Sequence, residues 1–234
     1  AGFDHSGLIE VAKKQYEKFA GYHSLFGRLS EETLELSNKL IEVSPFDQGR
    51  VFFCNSGTQA NKLAFKIARK TASKDSYGVI TALDSFHGRT LAALAACGQP
   101  QKHEPFAPMP AGFSHIERDN LSDLDSAVTE ITAAIHLEPI QGEGGVWPSS
   151  SEFIQGAENI ARNKDLLFMV DEVQSGLCRT GEWFAFQHFN LDPDVVCIAK
   201  ALGNGFPIGA VWAKREIAAH FQAGDHGSTY GGNT

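Results

Sequence analysis

Short, nearly all-apolar runs, each followed by a stretch of helical spacing, constrain this chain more than any other feature. Arg50-Val51-Phe52-Phe53-Cys54, residues 77–82, Leu166-Leu167-Phe168-Met169-Val170 and Val195-Val196-Cys197-Ile198 are such runs. A strand that is apolar on both sides needs cover on both faces, which is the condition of a strand inside a parallel sheet. The intervening segments supply the cover. Residues 7–19 carry Leu8, Val11, Ala12, Tyr16 and Phe19 in an approximate helical stripe. Residues 30–43 read as a helix capped by Ser30, with Glu31 and Glu32 in its first turn and Pro45 just past its end. Ala60, Leu63, Ala64, Ile67 and Ala68 share one helix face. Residues 121–134 read as a helix with Ser122 and Asp125 in capping-box spacing, running into a strand at 133–138, and residues 153–163 read as another helix. Strands alternating with helices predict an α/β fold: a mostly parallel sheet sandwiched by helices. The Pro-, Ala- and Gly-rich stretch from Gln99 to Gly112 predicts a long surface excursion.

Length and charge narrow the function classes. The chain has 234 residues and a formal net charge of -8, with no block of Lys or Arg. That balance argues against a nucleic-acid surface. No apolar run approaches the length of a membrane span, and residues 1–20 do not have the pattern of a signal peptide. Cys54, Cys97, Cys178 and Cys197 are scattered without a C-x-x-C pair; three lie in or beside apolar runs, as buried thiols of a reducing compartment do. No metal site is expected. A cytoplasmic location is expected, or the mitochondrial matrix in a eukaryote.

In an open α/β sheet, ligands bind beyond the carboxyl ends of the strands. Polar residues stand at four such places. Asn55-Ser56-Gly57-Thr58 joins a strand to a helix, where a glycine and free N–H groups favour a phosphate; the plainer reading is an ordinary helix start. Asp171-Glu172 closes the Leu-Leu-Phe-Met-Val strand, and a carboxylate there needs a cationic partner: a magnesium ion, a protonated heterocycle nitrogen, or a structural capping contact. The magnesium reading calls for a G-x-x-x-x-G-K-[ST] loop, which the sequence lacks. Lys200 ends the Val-Val-Cys-Ile-Ala run; partial desolvation would free its amine to attack a carbonyl, whereas a snorkelling lysine would keep its head in water. Phe86-His87-Gly88-Arg89 offers an aromatic face and a guanidinium suited to a carboxylate, with His87 set aside as structural. Together these are a phosphate cradle, an acid for a pyridinium, a lysine for an aldehyde and an aromatic lid, the set that pyridoxal phosphate requires.

The order of motifs resembles the class III aminotransferases of the fold-type I pyridoxal-phosphate enzymes, acetylornithine and ornithine aminotransferases above all. Asn55 to Asn61, Phe86 to Thr90, Glu138-Pro139-Ile140-Gln141-Gly142-Glu143-Gly144-Gly145-Val146, Asp171 to Gly176, Ala199 to Gly203 and His226 to Asn233 carry the likeness. The resemblance implies that Gly57 and Thr58, with Ser56, bind the cofactor phosphate. It implies that Phe86 stacks on the pyridine, Asp171 pairs with the ring nitrogen and Gln174 bonds the phenolic oxygen. Lys200 would form the Schiff base and move the proton. Arg89 would hold the distal end of the donor or a glutamate side chain, and Glu143 would pair with a C-terminal arginine. Thr229 would reach the phosphate of a partner subunit in a homodimer. The implied reaction is ping-pong transfer from an ω-amino donor such as N-acetylornithine to 2-oxoglutarate. Ornithine, 4-aminobutyrate and succinylornithine are alternative donors, and a truncated, non-catalytic cofactor-binding domain is an alternative role.

The likeness also implies more chain than is present. Family members continue beyond Gly-Gly-Asn, commonly with Pro where Thr234 stands, into a C-terminal domain that supplies the carboxylate-binding arginine. The start at Ala1 and the end at Thr234 therefore read as cuts. Residues 1–234 are expected to be the large cofactor-binding domain, with 1–45 its helical N-terminal part and the small C-terminal domain absent. This polypeptide alone is expected to bind the cofactor weakly and is not expected to carry out transamination.

Overall fold

The computed structural model describes residues 5–19, 30–44, 48–73 and 75–233. Helices α1 (Ser6–Phe19) and α2 (Glu31–Val43) precede strand β1 (Gly49–Cys54) and helix α3 (Gly57–Thr71). Then come β2 (Gly78–Ala82), α4 (Leu91–Ala96), β3 (Phe113–Ile116), α5 (Leu121–Ala127) and β4 (Thr132–Leu137). A small hairpin, β5 (Ile140–Gln141) with β6 (Trp147–Pro148), leads to α6 (Ser151–Asn163) and β7 (Leu167–Asp171). Strands β8 (Val195–Ile198) and β9 (Gly209–Lys214) and helix α7 (Arg215–Ala218) complete the order.

Seven strands form one sheet in the order β1-β9-β8-β7-β4-β2-β3. Its ladders are parallel from β3 through β8, and β9 alone runs against both its neighbours. The mostly parallel sheet is thus observed. Strand alternation divides its side chains between two cores. Ile135, Phe168, Val170, Val196 and Ile198 pack with α6 and α5, while Ala134, Met169, Val195, Cys197 and Val211 pack with α3. Every residue of the stripe Ala60, Leu63, Ala64, Ile67 and Ala68 is buried.

Some expectations need correction. The segment 121–134 is not one helix: α5 ends at Ala127 and β4 begins at Thr132. Asn120, not Ser122, caps α5, its side chain accepting from Asp123 N at 3.0 Å. A turn closed by Thr129 N donating to Thr132 Oγ1 at 2.9 Å then turns the chain into a fully buried strand. The Ser30 cap is present, accepting from Thr33 N at 3.1 Å; the Pro45 stop lies outside the described residues. On α1, Val11 and Tyr16 are exposed instead of packed. They border an apolar groove of about 750 Å³ shared with Phe206, Ile208 and Tyr230. The stretch after Gln99 forms two short 3-10 turns with no buried residue, as a surface excursion should.

Candidate active site

A cavity of about 350 Å³ lies where β1, β2, β7 and β8 end and α3 begins. Ser56, Gly57, Thr58, Phe86, Arg89, Glu143, Asp171, Gln174 and Lys200 all line it. Thr229 does not; it sits exposed in a neighbouring depression with Lys62 and His226.

The start of α3 is open toward the cavity. Ser56 holds an extended backbone (φ -167, ψ 162) and makes no side-chain cap bond. The first turn of a helix has N–H groups without intrahelical partners, and they carry the positive end of the dipole. Gln59 Oε1 turns back to accept from Asn55 N at 2.8 Å, so the strand-to-helix corner is fixed from the side away from Ser56. The Thr58 hydroxyl accepts from Arg89 N at 3.2 Å and Thr90 N at 3.3 Å, which binds the segment after Phe86 to the helix start. Gly88 makes that approach possible: its φ is +135, and a Cβ there would lie 2.2 Å from Thr58 Oγ1.

Asp171 is anchored by three hydrogen bonds. Met169 and Asp171 point to the α3 side of the sheet, one repeat apart. Asp171 Oδ2 accepts from Asn61 Nδ2 at 2.7 Å and from His87 Nδ1 at 2.8 Å, and Oδ1 accepts from Val173 N at 3.0 Å. Burial alone would push this carboxyl up. The His87 hydrogen bond and charge, His136 and the Val173 N–H outweigh that and hold it below its ordinary value. An ionised carboxylate offers about four lone-pair sites, so three donors leave room for one more from the cavity. His87, His136 and Asp171 also bring three metal-ligating atoms within 4.8 Å of one another. Asn61 and His87 already occupy the Asp171 oxygen that a cation would take.

Glu138 is a second buried acid in the cavity wall. Its Oε2 accepts from Phe86 N at 3.0 Å and its Oε1 from Gly142 N at 3.3 Å, so it ties two loops of the rim together. Burial pushes its carboxyl up to about 7; His87 and the two N–H groups pull against that and the Asp171 charge adds to it. Glu172 faces the opposite way. It accepts from Ser175 Oγ at 2.5 Å and Phe186 N at 2.8 Å inside the other core, and burial raises it to about 6.

The other expected residues fall as follows. Phe86 is half-buried, with the Arg89 guanidinium carbon 5.4 Å and Lys102 Nζ 4.7 Å from its ring centroid. Glu143 is exposed, with Lys102 Nζ 3.9 Å from its carboxylate. Gln174 is half-buried against Gly142, where a Cβ would stand 2.0 Å from Gln174 Oε1. Lys200 lies at the mouth, just past β8, with φ at 41. It is exposed, so the expected partial desolvation is not found within this chain. The 3-10 turn that starts at Lys200 carries it out of the buried β8 ladder toward the opening. Sequence reasoning missed Asn61, His136 and Glu138 and set His87 aside. The one available signal was polarity on otherwise buried faces: Asn61 interrupts the Ala60–Ala64 stripe, and His136 interrupts Ala-Ala-Ile-His-Leu.

Comparison with known proteins agrees with this geometry. The family model for aminotransferase class-III matches residues 1–234. The chain is 43% identical to an acetylornithine aminotransferase of Aquifex aeolicus, over 99% of this chain and 62% of that protein. It is 48% identical to one from Methanothermobacter thermautotrophicus, over 87% of this chain and 51% of that protein. Among solved structures, the PMP-bound aminotransferase of Vibrio fluvialis superposes with a TM-score of 0.92 at 32% identity, covering 99% of this chain and 59% of that one. The ornithine aminotransferase of Toxoplasma gondii gives 0.90 at 33% identity, covering 99% of this chain and 56% of that one. The chain therefore spans between half and two thirds of the length of these relatives. Among the described residues no helix is long and apolar enough to cross a membrane. With its cavity at the ends of parallel strands and its matched length, the chain belongs to the class III aminotransferase family.

Proposed function

We propose that the chain binds pyridoxal 5'-phosphate and takes part in transfer of an amino group from an ω-amino donor such as N-acetylornithine to 2-oxoglutarate. The observation that carries this is Asp171. It is a buried carboxylate held ionised by three donors, with one acceptor site left toward a cavity that a lysine also lines. A protonated pyridine nitrogen fits that acceptor, and the uncapped start of α3 beside Gly57 fits a phosphate. The donor set therefore suits the cofactor.

When bound, pyridoxal phosphate supplies an aldehyde for an amine and a cationic ring that withdraws electrons from the bond being broken. The residues do the rest. Asp171 keeps the proton on the ring nitrogen. Gly57, Thr58 and Ser56 hold the phosphate, Phe86 stacks on the ring and Gln174 donates to the phenolic oxygen. Lys200 Nζ would be the attachment point; as a free amine it would accept and return the proton on the carbon bearing the donor's amino group. Arg89 holds the distal end of the donor and Glu143 guards a carboxylate site. Thr229, which lies outside its own cavity, serves the phosphate of a second copy, and the apolar groove beside α1 supports such a homodimer.

The test is a titration of the folded chain with pyridoxal phosphate. An absorbance band in the near ultraviolet to visible should appear, vanish in Lys200→Ala, and be fixed onto Lys200 by borohydride. N-acetylornithine, ornithine and 4-aminobutyrate, added in turn with 2-oxoglutarate as acceptor, then sort the donors by the spectral change each produces. A folded, saturated sample with no cofactor on Lys200 refutes the proposal.

A further inference from the structure

Behind Asp171 lies a buried chain of side chains that the proposed chemistry does not use. Asn61 Nδ2 donates to Asp171 Oδ2 at 2.7 Å and to His87 O at 2.8 Å. Both partners are acceptors, so the atom facing them must be the amide nitrogen. Asn61 Oδ1 then faces His136 Nε2 at 3.0 Å, and that nitrogen must carry a proton. His136 is fully buried, and burial, aided by the neighbouring His87, holds its imidazole down to about 3. It is therefore neutral, with its one proton on Nε2. His136 is paired with Met169 across the β4–β7 ladder, which places it two residues from Asp171 on the same face, with its Nε2 4.0 Å from Asp171 Oδ2.

An asparagine amide presents a donor or an acceptor depending on which way it is turned. Turned over, Asn61 would set Oδ1 against Asp171 Oδ2 and His87 O, three acceptors with no proton among them. Those two acceptors already exclude the turned-over amide; the His136 Nε2–H adds the donor that Asn61 Oδ1 needs and so clamps the amide, and with it the Nδ2 donor, in place against Asp171.

We propose that His136 is a positioning residue that, through Asn61, fixes the amide donor on Asp171 and so keeps that carboxylate ionised and aimed into the cavity. The proposal rests on the cofactor reading above for its purpose, but not for its test. The groups that face Asp171 are Asn61 from α3, His136 from β4, Glu138 just past the end of β4, His87 from the loop after β2 and Cys197 from β8. Of these, His87 and Asn61 bond it directly, and Glu138 and Cys197 act through space.

The experiment uses the 234-residue chain labelled at the aspartate carboxyl carbons, without cofactor, and follows the Asp171 resonance against pH. His136→Phe keeps the ring volume and removes the donor; His136→Gln restores a donor near Nε2. In His136→Phe the Asp171 midpoint should rise by at least one pH unit, and affinity for added pyridoxal phosphate should fall on the order of tenfold, as the loss of one charge-assisted hydrogen bond predicts. His136→Gln should return both toward the starting values. An unchanged midpoint in His136→Phe overturns the proposal, and so does an equal shift in both variants, which would mark a packing role. If His136→Phe does not fold, His136→Leu, which also lacks the donor, carries the test: the same rise supports the proposal and an unmoved Asp171 overturns it. Failure of the unaltered chain to bind pyridoxal phosphate would sink the cofactor reading and leave the Asp171 titration standing.

Discussion

Glu138 gives a stability prediction whose size follows from its surroundings. The residue is 8% exposed and its carboxyl is raised from 4.5 to about 7 in the folded chain, burial being the main cause. The unfolded chain releases this proton near 4.5 and the folded chain only near 7, so between those values the unfolded state gains. Stability from this group is thus fully present below 4.5 and is lost as pH rises through 7. Each pH unit of difference is worth about 1.4 kcal/mol, so the whole loss is about 3 kcal/mol, and a comparison at pH 5 and pH 8 captures roughly 2–3 kcal/mol of it. Glu138→Gln is shaped like the protonated acid and cannot ionise, so it lacks that slope. Glu172, also raised, and His136, also buried, are present in both proteins and cancel in the difference. Urea unfolding of the cofactor-free chain at both pH values should show the substitution becoming more favourable by about 2–3 kcal/mol at pH 8. In a domain of this size that is roughly 4–12 °C in melting temperature. A difference that stays the same within about 1 kcal/mol, or grows toward acid, would refute the reasoning that the rim of this cavity holds a protonated acid.

Two other substitutions test the frame around the cavity. Gly88→Ala places a methyl 2.2 Å from Thr58 Oγ1 at a φ of +135; it should cost about 2 kcal/mol or more in unfolding experiments and weaken pyridoxal-phosphate binding on the order of tenfold, since the Thr58 corner must shift. Asp194 is 4% exposed and accepts from Arg162 Nη1 at 2.8 Å, Lys214 Nζ at 3.1 Å and Phe168 N at 2.9 Å; Asp194→Ala should lower the unfolding free energy by about 3–5 kcal/mol without moving the cofactor spectrum, because it ties β7 and β9 together at the strand ends opposite the cavity.

What the sequence disclosed about the site follows a physical rule. Asp171 and Lys200 were readable because each ends a buried run, and a polar residue at that point has few reasons to exist except a ligand or a cap. The strand at Gly209–Lys214 was not read, since Gly203, Gly205 and Pro207 before it and Gly209 at its start suggest only a turn. It pairs in the opposite direction to its neighbours, and no local pattern announces that. The helix expected over 121–134 failed because spacing alone does not show where Thr129 and Thr132 close a turn. Exposure of Lys200 within this chain was equally hidden, because it depends on what else covers the mouth of the cavity. The support for Asp171 was the least legible part. Asn61 lies 110 residues from Asp171 in sequence and His136 lies 75 from Asn61, so only strand register brings them together.

That register also explains how two adjacent acids take opposite roles. Alternation along β7 sends Phe168 and Val170 into one core and Met169 into the other, so Asp171 must emerge on the α3 side. There it meets Asn61 and His87 and is driven toward its charged form. Glu172, one residue on, turns into the core of Phe184 and Phe186, where burial outweighs the Ser175 hydroxyl and the backbone N–H donors and drives it toward its neutral form. A slip of one residue would exchange them, setting the longer Glu172 side chain against Asn61 and His87 and sending Asp171 into the other core. The large side chains of Phe168 and Val170, fully buried on the far face, resist that slip. Packing remote from the cavity therefore decides which acid is ionised within it.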